Sequence, residues 1–247
     1  MLGRLRRILR RPDHVIHEWE WYARRHLSRR VPHPLGDEWN DPAMIGMDVS
    51  AAEILEHLDR VLIEPCVGAV ESVLEIGSGG GRFTELLARR AKRVYATDTS
   101  PTMLRILRKR FSSNPVVVIR RLDGIGLSEF SDASVSAVFS YDVFVHLDAW
   151  RTYAYLEEMH RILRPGGRVV LHHANTFSPL GWRRFLRDLE RWQSGEPEQA
   201  RFMPMTPELM RGLAERAGLV VHRAITDLVR RDCITLASRP AGRGGVT

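Results

Sequence analysis

The sequence has little cysteine and no long apolar run. Cys66 and Cys233 are the only cysteines among 247 residues, and they lie far apart with no metal-ligand spacing. Disulfide-stapled secreted folds use many more, so two free thiols in a reducing compartment are expected. No stretch approaches the about 18 apolar residues that span a bilayer, and the N-terminus lacks the apolar segment of a signal peptide. We therefore expect a cytoplasmic protein.

Lysine is as scarce as cysteine, since Lys92 and Lys109 are the only two, and arginine carries most of the basic charge behind the formal net charge of +7. Residues 1–30 hold nine arginines against three acidic side chains, so the rest of the chain is close to neutral. Nucleic-acid-binding enzymes spread basic residues over the folded face that meets phosphate. We therefore expect no nucleic-acid partner, with an arginine-rich arm that grips RNA as the alternative.

The N-terminal segment differs in pattern from the rest. Residues 2–11 place leucine and isoleucine on one helical face and arginine around the remainder, until a proline ends the pattern. This predicts a short basic amphipathic helix, which acts as a solvated arm or a lid, or else lies on a membrane surface. Residues 13–48 are rich in aromatics and proline. The predicted domains are an arm and cap over 1–49, a main domain over 50–239 and a disordered tail over 240–247.

The main domain alternates strand-like and helical segments. Short apolar or β-branched runs occur at Val73–Ile76, Arg93–Thr97, Val116–Ile119, Ala137–Ser140, Val169–His172, Leu219–Thr226 and Cys233–Ser238. Helical patterns occur at Ala51–Ile63, with Ser50 as N-cap, and at Phe83–Arg90, Thr102–Phe111, Trp150–Leu163 and Pro207–Ala217. Such alternation predicts an α/β fold with a doubly wound, mostly parallel sheet of seven strands.

The segment between the first strand and the next helix is rich in glycine. Gly77, Gly79 and Gly81 permit a tight turn and let a ligand approach the backbone, while the helix N-terminus offers N–H groups to an anion. A plain tight turn is the other interpretation. With Glu75 two residues earlier, the pattern Glu-x-Gly-x-Gly-x-Gly resembles the first motif of class I (Rossmann-like) S-adenosylmethionine-dependent methyltransferases, and we expect the small-molecule O-methyltransferase type.

The resemblance covers roughly residues 70–173 and implies S-adenosylmethionine as the cofactor. It assigns Asp98, at the end of the second strand, to both ribose hydroxyls, with a helix N-cap as the other interpretation. Asp123 is similar to an adenine-contacting acidic position, or marks a plain turn. Leu163–Arg168 is similar to the family's turn into the fifth strand. The cofactor-binding residues that the resemblance implies are Glu75, Gly77, Ser78, Gly79, Gly81, Asp98, Thr99, Asp123, Gly124 and Tyr141.

Methyl transfer to a hydroxyl requires in-line alignment and removal of a proton. The first candidate for general base is His146, because it follows the fourth strand and an imidazole titrates near neutral pH. The candidate catalytic residues are His146, Tyr141, Asp142 and His173, with His172 beside them. Each histidine could instead hydrogen-bond neighbouring loops. Asp142, His146 and His173 could contribute to a divalent-cation site, but they form no compact ligand motif, and no metal is expected.

Residues 175–205 form an insertion after the fifth strand that is rich in aromatic residues and methionine. An insertion at this edge of the sheet lies where a lid over the acceptor would be. The fourth strand has no Asn/Asp-Pro-Pro-Tyr element, which argues against amino methylation of a nucleic-acid base. We expect an enzyme that methylates a hydroxyl of a small molecule, with a sugar or glycoside first. RNA methylation through the basic arm and a non-catalytic regulatory subunit are the alternatives.

Overall fold

The computed structural model describes residues 19–25, 51–124, 126–195 and 202–242. The predicted helix over 2–11, the expected N-cap Ser50 and the end of the predicted tail, 243–247, lie outside the described residues. The division into arm, main domain, lid and tail stays a prediction.

One sheet organises the described chain. Its strands are β1 (Val73–Ile76), β2 (Val94–Asp98), β3 (Val117–Arg121), β4 (Val135–Ser140), β5 (Leu163–Ala174), β6 (Val220–Ile225) and β7 (Asp232–Ser238). Their order across the sheet is β3-β2-β1-β4-β5-β7-β6. The first five pair in parallel, whereas β7 runs antiparallel to both β5 and β6. The predicted doubly wound, mostly parallel seven-stranded sheet is therefore confirmed.

Helices flank this sheet. They are α1 (residues 19–25), α2 (Ala51–Leu58), α3 (Arg82–Ala88), α4 (Pro101–Arg110), α5 (Ala149–Ile162), α6 (Pro179–Gln193) and α7 (Pro207–Arg216). Side-chain caps fix where four of them begin, because each cap oxygen accepts a hydrogen bond from a backbone N–H three residues on. These caps are Ser100, Asp148, Ser178 and Thr206. The predicted helix Ala51–Ile63 changes to a π-helical turn at Asp59–Ile63.

The predicted turn Leu163–Arg168 belongs to β5 instead. Pairing with β4 shifts register between Val135 and Ala137, and Gly166 has φ +75°, in the left-handed region. The strand thus carries an irregularity that takes up extra residues without leaving the sheet. Residues 164–167, which hold the proline and both glycines, have no partner in β4 or β7, so the local signal marks a bulge within β5.

Alternate strand residues pack on opposite faces of the sheet. Val73 and Phe139 lie in a core with α2 and α3, whereas Leu74 and Val138 lie in a core with α5 and α7. Both faces are covered, so the carboxyl ends of the strands form the edge where a doubly wound sheet binds ligands. Within the described residues, no helix is both long and apolar enough to cross a membrane.

Candidate functional site

A cavity of about 940 Å³, open solvent at its mouth included, lies at the carboxyl ends of β1, β2 and β4. Ten of the predicted site residues line it: Glu75, Gly77, Ser78, Gly79, Asp98, Thr99, Gly124, Tyr141, Asp142 and His146. The structure adds residues that the sequence reasoning missed, among them Trp19, Arg82, Met103, Leu122, Val143 and Tyr155. Gly81, Asp123 and His173 are not part of the lining.

The glycine loop has the backbone that its sequence requires. Gly77 and Gly81 have φ of +74° and +92°, and an added Cβ at either would overlap a side chain, that of Val143 or Phe111. Gly79 also has a positive φ, +54°, but an added Cβ there would meet no atom within 4 Å. Two glycines are thus needed for close packing, while the third leaves the backbone open towards the cavity.

Glu75 lies buried beneath this loop. Its Oε2 accepts hydrogen bonds from Ser78 Oγ at 2.8 Å and Thr84 Oγ1 at 2.5 Å. Burial, which outweighs these two bonds, raises the pKa of Glu75 to about 7. Ser78 Oγ in turn accepts from Thr97 N at 3.0 Å and so ties the loop to β2. The contacts of Glu75 and Ser78 therefore hold the loop in shape.

Asp98 ends β2 beside the loop. Its Oδ2 accepts from Gly79 N at 3.0 Å and its Oδ1 from Ser100 N at 2.8 Å. Burial raises the pKa of Asp98 to about 6, and the backbone hydrogen bonds oppose that rise. The helix cap is Ser100, whose Oγ accepts from Met103 N. Asp98 thus presents a desolvated carboxyl group to the cavity, and the N-cap interpretation belongs to Ser100.

Glu20 anchors helix α1 beside the cavity. The Glu20 carboxylate accepts from Ser100 Oγ at 2.6 Å, Thr102 N at 3.0 Å and Thr102 Oγ1 at 2.7 Å. Burial opposes ionisation, but the hydrogen bonds outweigh it and lower the pKa of Glu20 to about 2. A carboxylate at the start of α4 also suits the helix dipole. This anchor places the neighbouring Trp19 against the cavity.

The other side of the cavity is a loop after β4 that carries an ion pair. Arg82 Nη2 lies 2.9 Å from Asp142 Oδ2, and the Arg82 side chain is only 8% exposed. Asp142 has φ +59°, a left-handed conformation that is strained for a residue with a Cβ. Its backbone N–H donates to His172 Nδ1 at 3.1 Å. The loop is thus held from α3 and from β5 at once.

His172 supports this loop. The Tyr141 ring stacks on it, with centroids 4.1 Å apart and planes 8° from parallel. His172 Nδ1 accepts the Asp142 N–H, and His172 Nε2 lies 3.3 Å from Asp232 Oδ2. Burial and the nearby Asp142 raise the pKa of Tyr141 far above its usual range. Tyr141 is therefore a poor proton acceptor near neutral pH.

His146 lines the cavity from the 3₁₀ turn Phe144–His146. Its ring contacts the Trp19 ring at 4.9 Å and the Phe202 ring at 5.2 Å, both edge-to-face. These contacts join three segments of the chain: α1, the loop after β4 and the end of the predicted lid. The two rings fix the orientation of an imidazole, a side chain that can accept or donate a proton, at the cavity wall.

His173 lies on the opposite face of β5 and does not reach the cavity. It is fully buried, its Nδ1 donates to the Ala174 carbonyl, and its Nε2 accepts from Thr235 Oγ1, both at 2.9 Å. Burial lowers the pKa of His173 to about 4. The structure therefore gives this histidine the packing interpretation and removes it from the candidate catalytic set.

Asp123 is exposed, and its Oδ1 accepts from Gly126 N at 3.2 Å. Asp123 therefore has the turn role that was the alternative interpretation from the sequence. The neighbouring residues Leu122 and Gly124 line the cavity instead. In the part of the chain that the structure describes, no three histidine, cysteine or acidic side chains converge as metal ligands would.

Comparison with known proteins identifies relatives in sequence and in fold. Residues 74–171 match the family described as "Methyltransferase domain". An uncharacterised methyltransferase of Mycobacterium tuberculosis is 32% identical over 171 residues, 68% of this chain and 67% of that protein. A probable S-adenosylmethionine-dependent methyltransferase of Mycolicibacterium smegmatis is 35% identical over 120 residues, 48% of this chain and 44% of that protein. A SAM-dependent methyltransferase structure from Methanosarcina mazei has the same fold, with TM-score 0.59, 17% identity, and coverage of 73% of this chain and 98% of that one.

Proposed function

Since the chain belongs to the class I S-adenosylmethionine-dependent methyltransferases, we propose that it methylates a hydroxyl of a small molecule, with a sugar or glycoside as the first acceptor class. The observation that carries this proposal is His146, which lines the cavity between the rings of Trp19 and Phe202. S-adenosylmethionine is the enzyme's cofactor, and it supplies an electrophilic sulfonium methyl when bound.

The cavity fits this cofactor. We assign the ribose hydroxyls to the Asp98 carboxylate, which is buried and already ordered by backbone N–H groups. Met103, Leu122 and Tyr155 supply apolar wall of the kind that an adenine ring needs. Gly79 leaves open space where a side chain would otherwise stand. Glu75 and Ser78 shape the loop from below, so we give them a positioning part.

Three groups near the acceptor end could take a proton from a hydroxyl, and their surroundings separate them. Tyr141 has a pKa raised by burial, and Asp142 is engaged by Arg82. His146 stands at the wall of the cavity, and histidine is the side chain that most often serves as general base. We therefore assign His146 as general base, with Arg82 and Asp142 holding the loop that presents it.

The rings around His146 support a sugar or glycoside acceptor. Trp19 and Phe202 offer apolar faces and edges beside the proposed base. Aromatic rings commonly pack on the C–H surfaces of sugars while polar groups orient the hydroxyls.

We place the enzyme in the cytoplasm, a proposal supported by the free thiols of Cys66 and Cys233.

A substitution at His146 tests the proposed base. His146→Ala is expected to lower the rate of methyl transfer by about a hundredfold or more, since it removes the group that takes the proton. The rate is measured with a sugar that the wild type methylates. The variant's affinity for S-adenosylhomocysteine, measured by calorimetry, should stay close to that of the wild type. His222→Ala is the matched control, because His222 is exposed, hydrogen-bonds to Ser238 and does not line the cavity. Unchanged turnover in His146→Ala would reject the assignment.

A further inference from the structure

Helix α6 is attached to the protein through the charged side chains of Arg184 and Asp188. Its buried residues are Gly181 and Asp188. Asp188 Oδ2 accepts from Arg184 Nε at 2.8 Å and from Phe202 N at 3.1 Å. The Arg184 guanidinium in turn lies 4.3 Å from the Phe202 ring centroid. Polar contacts rather than apolar packing therefore attach α6 to the body of the protein.

The apolar side of α6 faces solvent. Trp182, Leu186 and Leu189 follow one another at spacings of four and three residues, so they lie on one helical face. Trp182 is 43% exposed and Trp192 60% exposed, and Phe177, just before the helix, is 75% exposed. We call the five side chains Phe177, Trp182, Leu186, Leu189 and Trp192 the α6 stripe. Five large exposed apolar side chains on α6 and just before it indicate a binding surface rather than scattered exposure.

The stripe is internally ordered. The Trp182 ring stacks on the Phe185 ring, with centroids 5.0 Å apart and planes 14° from parallel, and it contacts the Phe177 ring at 6.4 Å. Phe177, Trp182 and Phe185 thus form one surface that does not require a partner to hold its shape. Ordered, exposed tryptophan and phenylalanine beside leucine form the apolar half of helices that lie in a lipid interface.

Positive charge surrounds the stripe. Of the four arginines of α6, Arg183 and Arg187 are exposed, whereas Arg184 and Arg191 turn towards the buried Asp188. Glu190 is the exposed acidic side chain of the helix. Arg183 and Arg230 also line a hollow beside Phe177, together with Glu208. An arginine-rich polar face next to an aromatic and leucine face complements an anionic surface with an apolar interior. A second copy of the same helix would instead bring like charges together.

We propose that the α6 stripe docks the enzyme peripherally on an anionic lipid bilayer. The rings of Phe177, Trp182 and Trp192 enter the boundary between headgroups and acyl chains, and the arginines meet lipid phosphates. This goes beyond the proposed methyl transfer. It also has a geometric consequence, because Phe202 contacts both Arg184 of α6 and His146 at the cavity. Docking through α6 sets the cavity mouth close to the membrane surface.

Vesicle co-sedimentation of the full chain tests the proposal. Vesicles of phosphatidylcholine are compared with vesicles in which about 30% of the lipid is phosphatidylglycerol. Wild type should bind the anionic vesicles and sediment little with the neutral ones. The double variant Trp182→Ala/Trp192→Ala should lower the partition coefficient at least about tenfold, because two exposed aromatic side chains no longer enter the lipid. Arg183→Gln should lower it by about fivefold.

The matched control is Trp150→Ala, which removes a tryptophan that is 77% exposed on α5, outside the stripe. It should bind vesicles like the wild type. Affinity for S-adenosylhomocysteine should be unchanged in all these variants, so a failure of docking is distinct from a failure of the cofactor site.

Three outcomes would overturn the proposal. One is equal binding of the wild type and the double tryptophan variant, or no binding at all. Another is vesicle binding that disappears when residues 1–18 are deleted but ignores the α6 substitutions, which would assign docking to the N-terminal segment. The third is a concentration-dependent dimer in sedimentation velocity that Trp182→Ala/Trp192→Ala abolishes, which would make the stripe an interface between two copies.

Discussion

The two ends of the cavity are built from different kinds of contact. At the proposed cofactor end, Glu75 bonds to residues three and nine positions along the chain, and Gly79 to a carboxylate nineteen positions along. At the proposed acceptor end, Arg82 pairs with Asp142 across sixty positions, and Asp142 bonds to His172 across thirty. The contacts at the cofactor end therefore join residues that are close in the sequence. The contacts at the acceptor end depend on how β4 and β5 lie side by side.

The largest expected effect separates the two ends through Arg82. Arg82→Met removes the cation that pairs with Asp142 and leaves that carboxylate without its partner near a buried ring. We expect methyl-transfer turnover to fall by about a hundredfold, because a lost partner of a charged hydrogen bond costs roughly 3 kcal/mol. Steady-state kinetics and calorimetry with S-adenosylhomocysteine measure the two ends separately. Arg151→Met, which removes a half-exposed pair with Asp148, serves as the control. An equal loss of cofactor affinity would break the comparison.

The next effect concerns Glu75 and stability. The folded-state pKa of about 7 exceeds the usual 4.5, so the folded protein binds the proton more tightly than the unfolded chain. Stability from this group is therefore present below about pH 4.5 and is lost as pH rises towards 7, by roughly 3 kcal/mol. Urea unfolding of the wild type and Glu75→Gln between these limits measures it. The difference between the two proteins should change with pH, and a constant difference would contradict the account.

Cofactor affinity should depend on pH through Asp98. Its pKa of about 6 means that the carboxyl group is ionised above that pH and protonated below it. The ionised form accepts hydroxyl hydrogen bonds better, so the affinity for S-adenosylhomocysteine should fall as pH drops below 6, by up to about tenfold per pH unit. Asp98→Asn should bind more weakly and flatten the profile. A profile of the same shape in both proteins would assign the titration to another group.

The smallest effect compares two glycines of one loop. Ala at position 77 has an unfavourable φ and meets Val143 of the loop after β4, whereas Ala at position 79 has only the unfavourable φ. We expect Gly77→Ala to be less stable than Gly79→Ala by about 1 kcal/mol in urea unfolding. Gly77 is a point where the two ends of the cavity touch. Equal stability of the two variants would mean that the contact with Val143 adjusts freely.

Much of the fold follows from the sequence because its signals are local. Apolar runs alternate with helical patterns, and strand β1 was predicted with the bounds Val73–Ile76 that the structure has. The segment Leu163–Arg168 was predicted as a turn into the fifth strand; the structure includes it in β5, with residues 164–167 bulged out of the pairing with β4. Local composition does not reveal which strands pair in the folded sheet.

The site divides in the same way. Asp98 and the glycine loop follow from spacing, because strand end, turn and helix start lie close in the chain. His172 and His173 could not be told apart, because successive strand residues face opposite sides and β5 is buried on both. Nothing in the sequence around Arg82 indicates that it pairs with Asp142. The position of Trp19 depends on the hydrogen bonds that Glu20 makes with Ser100 and Thr102. Such contacts arise only in the folded chain.

The most direct test of the account is a calorimetric titration of S-adenosylhomocysteine into the wild type and Asp98→Ala, with Asp227→Ala as an exposed control. We expect micromolar-range binding in the wild type and the control, and a loss of about a hundredfold or more in Asp98→Ala, since two buried hydrogen-bond acceptors disappear. Absence of binding in the wild type, or equal binding in all three proteins, would contradict the assignment of this cavity to the cofactor.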